Sequence, residues 1–292
     1  VALFDHDESP RLPERAVLSF ESNSDHRVAC SQERCSLFVA GAPTTWQSDA
    51  VTATSAPRGA RARVRAELQR EIREAGRRQL ATAGSAGLSL RAIAREMGMV
   101  SSAIYRYYPS RDELLTALIV DAYESMGGAA TAAETAVDRD DTLGRWLAIA
   151  TAVRRWALAT PQEWALIYGS PVPGYQAPAV TIDPAAILPL LIMGVVADAH
   201  PQAEPGRGRS PAVAAPPVST PMPASVRAEL EAFRSQLAIP LDPERLAPTA
   251  MAWTQLVGSV SFELFGHLHN VIYDYPAYFE FQMREIGARL AL

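Results

Sequence analysis

The stretch from Leu88 to Leu115 constrains this chain most. Leu90, Ile93, Ala94 and Met97 recur at i, i+3, i+4 and i+7, the spacing of one apolar helix face. Ser89 precedes that face as a helix N-cap, and Gly98 follows it where a left-handed residue ends a helix at little cost. A second helix restarts at Ser101, with Ala103, Ile104 and Tyr108 able to turn inward and Ser102, Tyr105, Arg106 and Tyr107 mostly outward. Pro109 cannot continue the hydrogen-bond ladder and closes it. Ser110 caps a third helix whose first turn carries Asp112 and Glu113, favourable at a positive dipole end.

Two short helices around a glycine turn are the arrangement that lays a recognition helix in a DNA major groove. The detail goes further. The string from Ala103 to Leu115 resembles the segment by which the tetracycline-repressor (TetR) family is recognised. That pattern has a tyrosine, a variable residue, a histidine or aromatic, an aromatic, a proline, a small residue and a basic residue. Tyr105, Tyr107, Tyr108, Pro109, Ser110 and Arg111 fill those places in order. Histidine is commoner where Tyr107 stands and lysine where Arg111 stands; both departures keep hydrogen-bonding capacity toward phosphate.

The net charge of −5 conceals an asymmetry. From Arg58 to Leu115 there are twelve arginines against six acids, while residues 1–57 and 116–292 are both acidic. A basic block in an acidic chain fits one domain made to bind nucleic acid; a solvated arginine-rich helix surface is the plainer reading of the charge alone. All 27 basic residues are arginine. With no lysine there is no phosphate-loop lysine, Schiff base or pyridoxal-phosphate anchor.

At 292 residues the chain has room for two domains. Residues 1–57 hold no sustained period and read as a disordered leader. Starting on Val1 is read as an alternative start codon translated literally, which makes much of that leader dispensable. Cys30 and Cys35, the only cysteines, both lie there, so no disulfide framework is expected. A first helix is expected over 58–82, with Val64, Leu68, Ile72, Ala75, Gln79 and Leu80 as its stripe. The helix starting at Arg111 is expected to run to Met126, before Gly127-Gly128. Later helices are expected over 142–160, 161–168, 183–200, 225–238, 243–270 and 276–290. Seven prolines between 201 and 223 read as a mobile surface loop. The longest apolar run, Ala185 to Ala197, carries Pro189 and Gly194 and falls short of the ~20 residues of a membrane helix. Its expected place is a soluble core, and cytoplasmic residence is the default. No strand pattern stands out. The expected architecture is all-α: a three-helix helix-turn-helix head over 58–110 and a larger helical ligand-binding and dimerisation body over 111–292.

The phrase Arg155-Trp-Ala-Leu-Ala-Thr-Pro161, then Leu166-Ile-Tyr-Gly-Ser-Pro171, then Trp253 with Phe262-Glu-Leu-Phe-Gly-His-Leu268 resembles the TetR subgroup whose C-terminal domain is named for tryptophan, histidine and glycine positions. The two resemblances together span roughly residues 60–290. They imply a recognition helix over Ser101–Tyr108. Ser101, Ser102, Tyr105, Tyr107 and Arg111 would hold phosphates, with Ser89 adding its backbone N–H and hydroxyl. Arg106 and Ala103 would meet base edges, arginine on guanine and a methyl against thymine, with Arg91 an additional contact. From the residues themselves, Arg58, Arg61, Arg63 and Arg65 are expected to reach phosphates or, as a flexible arm with Arg58 and Arg61 foremost, the minor groove, against the plainer reading of a soluble helix end.

One such head covers a half-site, so a homodimer on a near-palindromic double-stranded operator follows. The interface would draw on Leu256, Val260, Leu264, Phe265, Phe279 and Met283, some of which must also pack their own subunit. Trp164, Tyr168 and Trp253 are candidates for an aromatic pocket holding a small-molecule effector, against the plainer reading that they are core. Its entry would splay the heads and release DNA. His267 and His269, two apart, point in different directions and are not a zinc pair; Glu263 and His267 share a face without further ligands. No nucleophile elbow, phosphate loop or paired-cysteine motif occurs. The expectation is a ligand-responsive transcription regulator, most simply a repressor, with no cofactor, metal or enzyme activity. The alternative is an all-α ligand-binding or scaffold protein whose helix-turn-helix mediates protein contacts.

Overall fold

A computed structural model of the chain describes residues 56–201 and 220–292, with side chains described from residue 59. The leader and most of the proline-rich 201–223 segment therefore lie outside the described residues, as do both cysteines. Ten α-helices and two single 3₁₀ turns make up the described part, with no strand. The helices are α1 (Ala56–Ala83), α2 (Leu90–Glu96), α3 (Ser101–Ile104), α4 (Arg111–Thr135) and α5 (Thr142–Ala159). They continue as α6 (Pro161–Tyr168), α7 (Ile182–Ala199), α8 (Ala224–Leu237), α9 (Pro243–Leu264) and α10 (Tyr275–Leu290).

The two expected caps are in place: Ser89 and Ser110 each accept a backbone N–H from the first turn of α2 and α4, and Asp141 does the same for α5. Gly98 sits at φ 66°, the left-handed conformation that turns α2 toward α3.

Two apolar cores result. One is built from Ile72, Ala75 and Leu80 of α1, Leu90 and Ile93 of α2, Ile104 and Tyr108, and Leu114 to Ile119 of α4. The other gathers Met126 and Ala130 of α4 with α5, α6, α7, α9 and α10 around Trp146 and Trp164. Helix α4 supplies both. Its expected end at Met126 is corrected: it runs to Thr135, straight through Gly127-Gly128. Packing overrides weak propensity here. A Cβ at Gly127 would lie 2.5 Å from Ile187 Cγ2, so glycine is what lets α4 and α7 approach. Helix α9 ends earlier than expected, at Leu264, because Gly266 and Asn270 take positive φ and fold 265–271 into turns. Val64 on the first helix is 61% exposed; core contact on α1 begins only further along.

A buried ionic cluster ties the C-terminal end of α4 to α5 and α7. The Arg145 side chain is 2% exposed and lies 2.5 Å from Glu134 Oε1 and 2.9 Å from Asp198 Oδ2. With its preceding turn, α7 forms a 21-residue stretch whose most apolar 18-residue window has a mean hydropathy of 2.1, long and apolar enough by composition to cross a bilayer. That exceeds the Ala185–Ala197 run read from sequence. It packs instead against α4, α5 and α9, burying Leu188, Ile192, Val195 and Val196.

Candidate nucleic-acid interface

The recognition segment is tighter than expected. Only Ser101–Ile104 is α-helical, and the turn continues through Arg106 N–H to Ala103 O at 3.2 Å and Tyr107 N–H to Ile104 O at 2.9 Å. These are three-residue, 3₁₀-type bonds, and Pro109 then withdraws the next donor. Ile104 and Tyr108 are anchored in the head core, which leaves Ser101, Ser102, Tyr105 and Arg106 exposed along one presented edge, with Ala103 half-buried. Tyr108 is fixed at both ends: its ring is buried and its hydroxyl accepts a hydrogen bond from Arg73 Nη1 at 3.1 Å.

Three residues expected on phosphate make contacts within the protein. Tyr107 is half-buried against the head core, with the Arg65 guanidinium 5.3 Å above its ring. Arg65 also donates to Arg106 O at 3.0 Å, so it braces the exit of the recognition segment. Arg111, expected on phosphate, donates to Ser85 O at 2.7 Å and pairs with Asp112. It clips α4 to the turn before α2. The Ser89 backbone N–H is taken by Gln79 Oε1 at 3.0 Å, which leaves the hydroxyl proton as that residue's free donor.

The charges sort by position. Arg70, Arg73, Arg77, Arg78 and Arg111 meet carboxylates within the protein. Arg61, Arg63, Arg65, Arg91, Arg95 and Arg106 are exposed and meet none among the described residues. Arg58 lies in α1, with its side chain outside the described residues. Beyond the head, most described arginines are paired, among them Arg139, Arg145, Arg154 and Arg227. Free cationic charge is concentrated at the helix-turn-helix end. Arg95 was not singled out in the sequence; a count of which arginines have an acid in reach needed the fold.

Behind the head lies a cavity of about 880 Å³, walled by α4, α6, α7, α8, α9 and the 169–177 loop. Of the three predicted pocket residues only Trp253 lines it. Trp164 is fully buried beneath, its indole N–H donating to Ser261 Oγ at 3.1 Å. Tyr168 packs on Trp164 at a ring separation of 4.7 Å, and its burial holds its hydroxyl above the ordinary tyrosine pKa. Both are core. The cavity residues Tyr123, Leu166, Ile167, Val172 and Tyr175 also pack against the head's apolar core. On α6, one turn before Leu166, Glu163 reaches Arg77 of α1 at 3.1 Å, and Arg77 also holds Asp121 of α4 at 2.6 Å. Burial pushes the Glu163 carboxyl up from its ordinary pKa, against the pull of Arg77 and with the help of Asp121.

The predicted dimer residues divide. Leu256, Val260, Phe279 and Met283 are buried in the subunit's own core, and Leu264 packs beside them. Phe265 is 44% exposed. The opposite stripes are open: Met251, Phe262 and Phe265 on and just after α9, and Phe281 on α10. Periodicity alone could not say which of two apolar faces turns inward. Glu263, read beside His267, holds Arg154 in a two-pronged ion pair at 2.6 and 2.7 Å.

A basic helix-turn-helix head on an all-helical body with an internal cavity defines a one-component transcription regulator. The chain belongs to the TetR family: residues 72–118 match the model of bacterial regulatory proteins of the tetR family, and residues 146–286 match a tetracyclin repressor-like C-terminal domain. It is similar to the HTH-type transcriptional regulator Rv1816 of Mycobacterium tuberculosis (strain ATCC 25618 / H37Rv), 41% identical over 241 residues, covering 80% of this chain and 96% of that protein. The HTH-type transcriptional regulator Mb1846 of Mycobacterium bovis (strain ATCC BAA-935 / AF2122/97) matches to the same extent. The crystal structure of SCO4313 superposes with a TM-score of 0.61 at 32% identity, covering 77% of this chain and 97% of that one. A Rhodococcus sp. RHA1 protein shares the fold at a TM-score of 0.51 and 20% identity, over 75% of this chain and 94% of that one.

Proposed function

We propose that this regulator acts as a repressor, binding a near-palindromic operator as a homodimer and leaving it when a small molecule enters the cavity. The observation that carries the reading is a head in which six exposed arginines meet no carboxylate among the described residues, on the same domain that presents the edge Ser101–Ser102–Tyr105–Arg106. Ser101, Ser102, Tyr105 and the Ser89 hydroxyl act on phosphate, together with Arg91, Arg95 and Arg61 in the first turns of α1. Arg106 reads guanine, and Ala103 offers its methyl group to thymine. Residues up to about 110 serve DNA, and the remainder serves ligand and partner. The partner contact uses Phe262, Phe265 and Phe281, an exposed aromatic set of the kind that marks an interaction surface. Occupied and empty bodies bind DNA differently, and that difference in affinity is the regulatory signal.

Selection from random duplex fragments by the full chain tests this directly. The expected result is enrichment of one inverted repeat with half-sites an integral number of helical turns apart. Recovery of fragments with no common sequence, from a folded dimer at low salt, refutes it.

A further inference from the structure

The cavity described above carries a chemistry of its own. Among the described residues that line it, Asp183 is the one charged side chain; no arginine or histidine faces it. Asp183 is exposed at the first turn of α7, where the helix dipole already favours its charge. It makes little demand for a cation, and it repels an anion. A carboxylate or phosphate drawn into this space would lose its hydration with no cation among the described lining residues to replace it.

The walls have a direction. Ile182, Ala186, Leu190 and Met193 form a stripe along α7 that runs about 16 Å at the ordinary helix rise. Leu230, Phe233 and Leu237 of α8 also line the space at helical spacing. Helix α8 packs along α9 and buries none of its own residues, and Ile182, Leu190, Phe233 and Leu237 stay 40–61% exposed. At the head side the lining changes to neutral hydroxyls. Tyr175 shares a hydrogen bond with Thr116 at 2.9 Å, which leaves one of the two hydroxyl protons free to donate, and Tyr123 donates to Ile167 O at 3.3 Å, which leaves its lone pairs open.

We infer that the effector is an uncharged, long-chain amphiphile, an aliphatic alcohol, ketone or ester, with its tail between α7 and α8 and its polar end at Tyr123 and Tyr175. The inference rests on the reading of this cavity as the effector site, and adds the ligand's class and orientation.

Three probes of equal chain length separate the possibilities: 1-dodecanol, titrated into the full chain below its solubility limit, and dodecanoate and dodecyltrimethylammonium, each below its micelle concentration. Binding is followed by tryptophan emission, to which Trp253 contributes from the cavity wall, and by thermal shift. Dodecanol is expected to bind at least tenfold more tightly than either ion. Leu190→Glu, at an exposed position that tolerates the charge, abolishes that binding without changing the free protein's melting temperature. Tyr175→Phe weakens it roughly two- to tenfold, the worth of one hydrogen bond. Either ion binding as tightly as dodecanol, no binding by any of the three, or unchanged dodecanol affinity in Leu190→Glu overturns the inference. Adding dodecanol to the operator complex tests the underlying reading separately: tight binding with no release of DNA leaves the ligand class standing and overturns the effector role.

Discussion

Replacing Arg91 by alanine removes one positive charge from each head of a dimer and disturbs little else. The side chain is exposed on α2 and meets no carboxylate among the described residues. If it rests on phosphate, each copy accounts for one released counterion, or ~0.9 in the slope of log affinity against log salt. Two copies lower that slope by ~1.8. Between about 50 and 200 mM salt the unmodified protein then loses roughly twelvefold more affinity than the variant does. Arg78→Ala is the control. Arg78 is equally exposed but sits 2.7 Å from Glu96, so its charge is already answered within the protein. Operator titrations by fluorescence anisotropy at four salt concentrations give both slopes. Thermal unfolding should show each variant within about 0.5 kcal/mol of the parent. A slope for Arg91→Ala no shallower than that of Arg78→Ala refutes the assignment of free arginines to phosphate, however much affinity is lost.

Other consequences are as direct. Arg106→Ala should weaken the selected operator by about 1–3 kcal/mol and relax one base position; equal loss on random duplex would make Arg106 a phosphate contact instead. Glu134→Ala strips the nearest carboxylate from the buried Arg145 guanidinium but leaves Asp198, so the cost in urea denaturation should be about 2–4 kcal/mol, somewhat below that of fully breaking a buried pair. Adding Arg145→Met should restore most of it, and a double variant as unstable as the single one would contradict the buried-charge account. Gly127→Ala drives a methyl into Ile187 and should cost about 1–3 kcal/mol, relieved by Ile187→Ala; a neutral Gly127→Ala would mean that α4 and α7 are not held at this spacing. Glu163 has its folded pKa raised, so the folded state binds a proton more readily than the unfolded chain. Its contribution to stability is present below the ordinary glutamate pKa and is lost as pH rises through the elevated one. Glu163→Gln should therefore gain on the parent across that interval, and a constant difference between the two would contradict a raised pKa.

The elements were legible where the signal was local. Ser89, Gly98, Ser110 and Pro109 marked helix ends by their own chemistry, and each acts where it was expected to. The signals failed where the deciding partner is distant in sequence. Gly127 reads as a helix end until Ile187 is seen sixty residues on, pressed against it. Arg111 reads as a phosphate ligand until the Ser85 carbonyl is found beside it. Trp164, Tyr168 and Trp253 are alike on paper, and only packing separates the one that lines space from the two that fill it. The exposed edge of the recognition segment was the part of the site most readable in advance, because Ile104 and Tyr108 fix its orientation from within the same few residues.

Leu166, Ile167, Val172 and Tyr175 each touch both the cavity and the apolar centre of the head. What this body recognises and how firmly its DNA-reading end is seated are therefore set by common atoms. A chimera that joins this head to a foreign body should inherit neither partner's affinity unless those four residues travel with the head. Natural divergence in effector choice would carry the same constraint, since widening the chamber at any of them loosens the reader it supports.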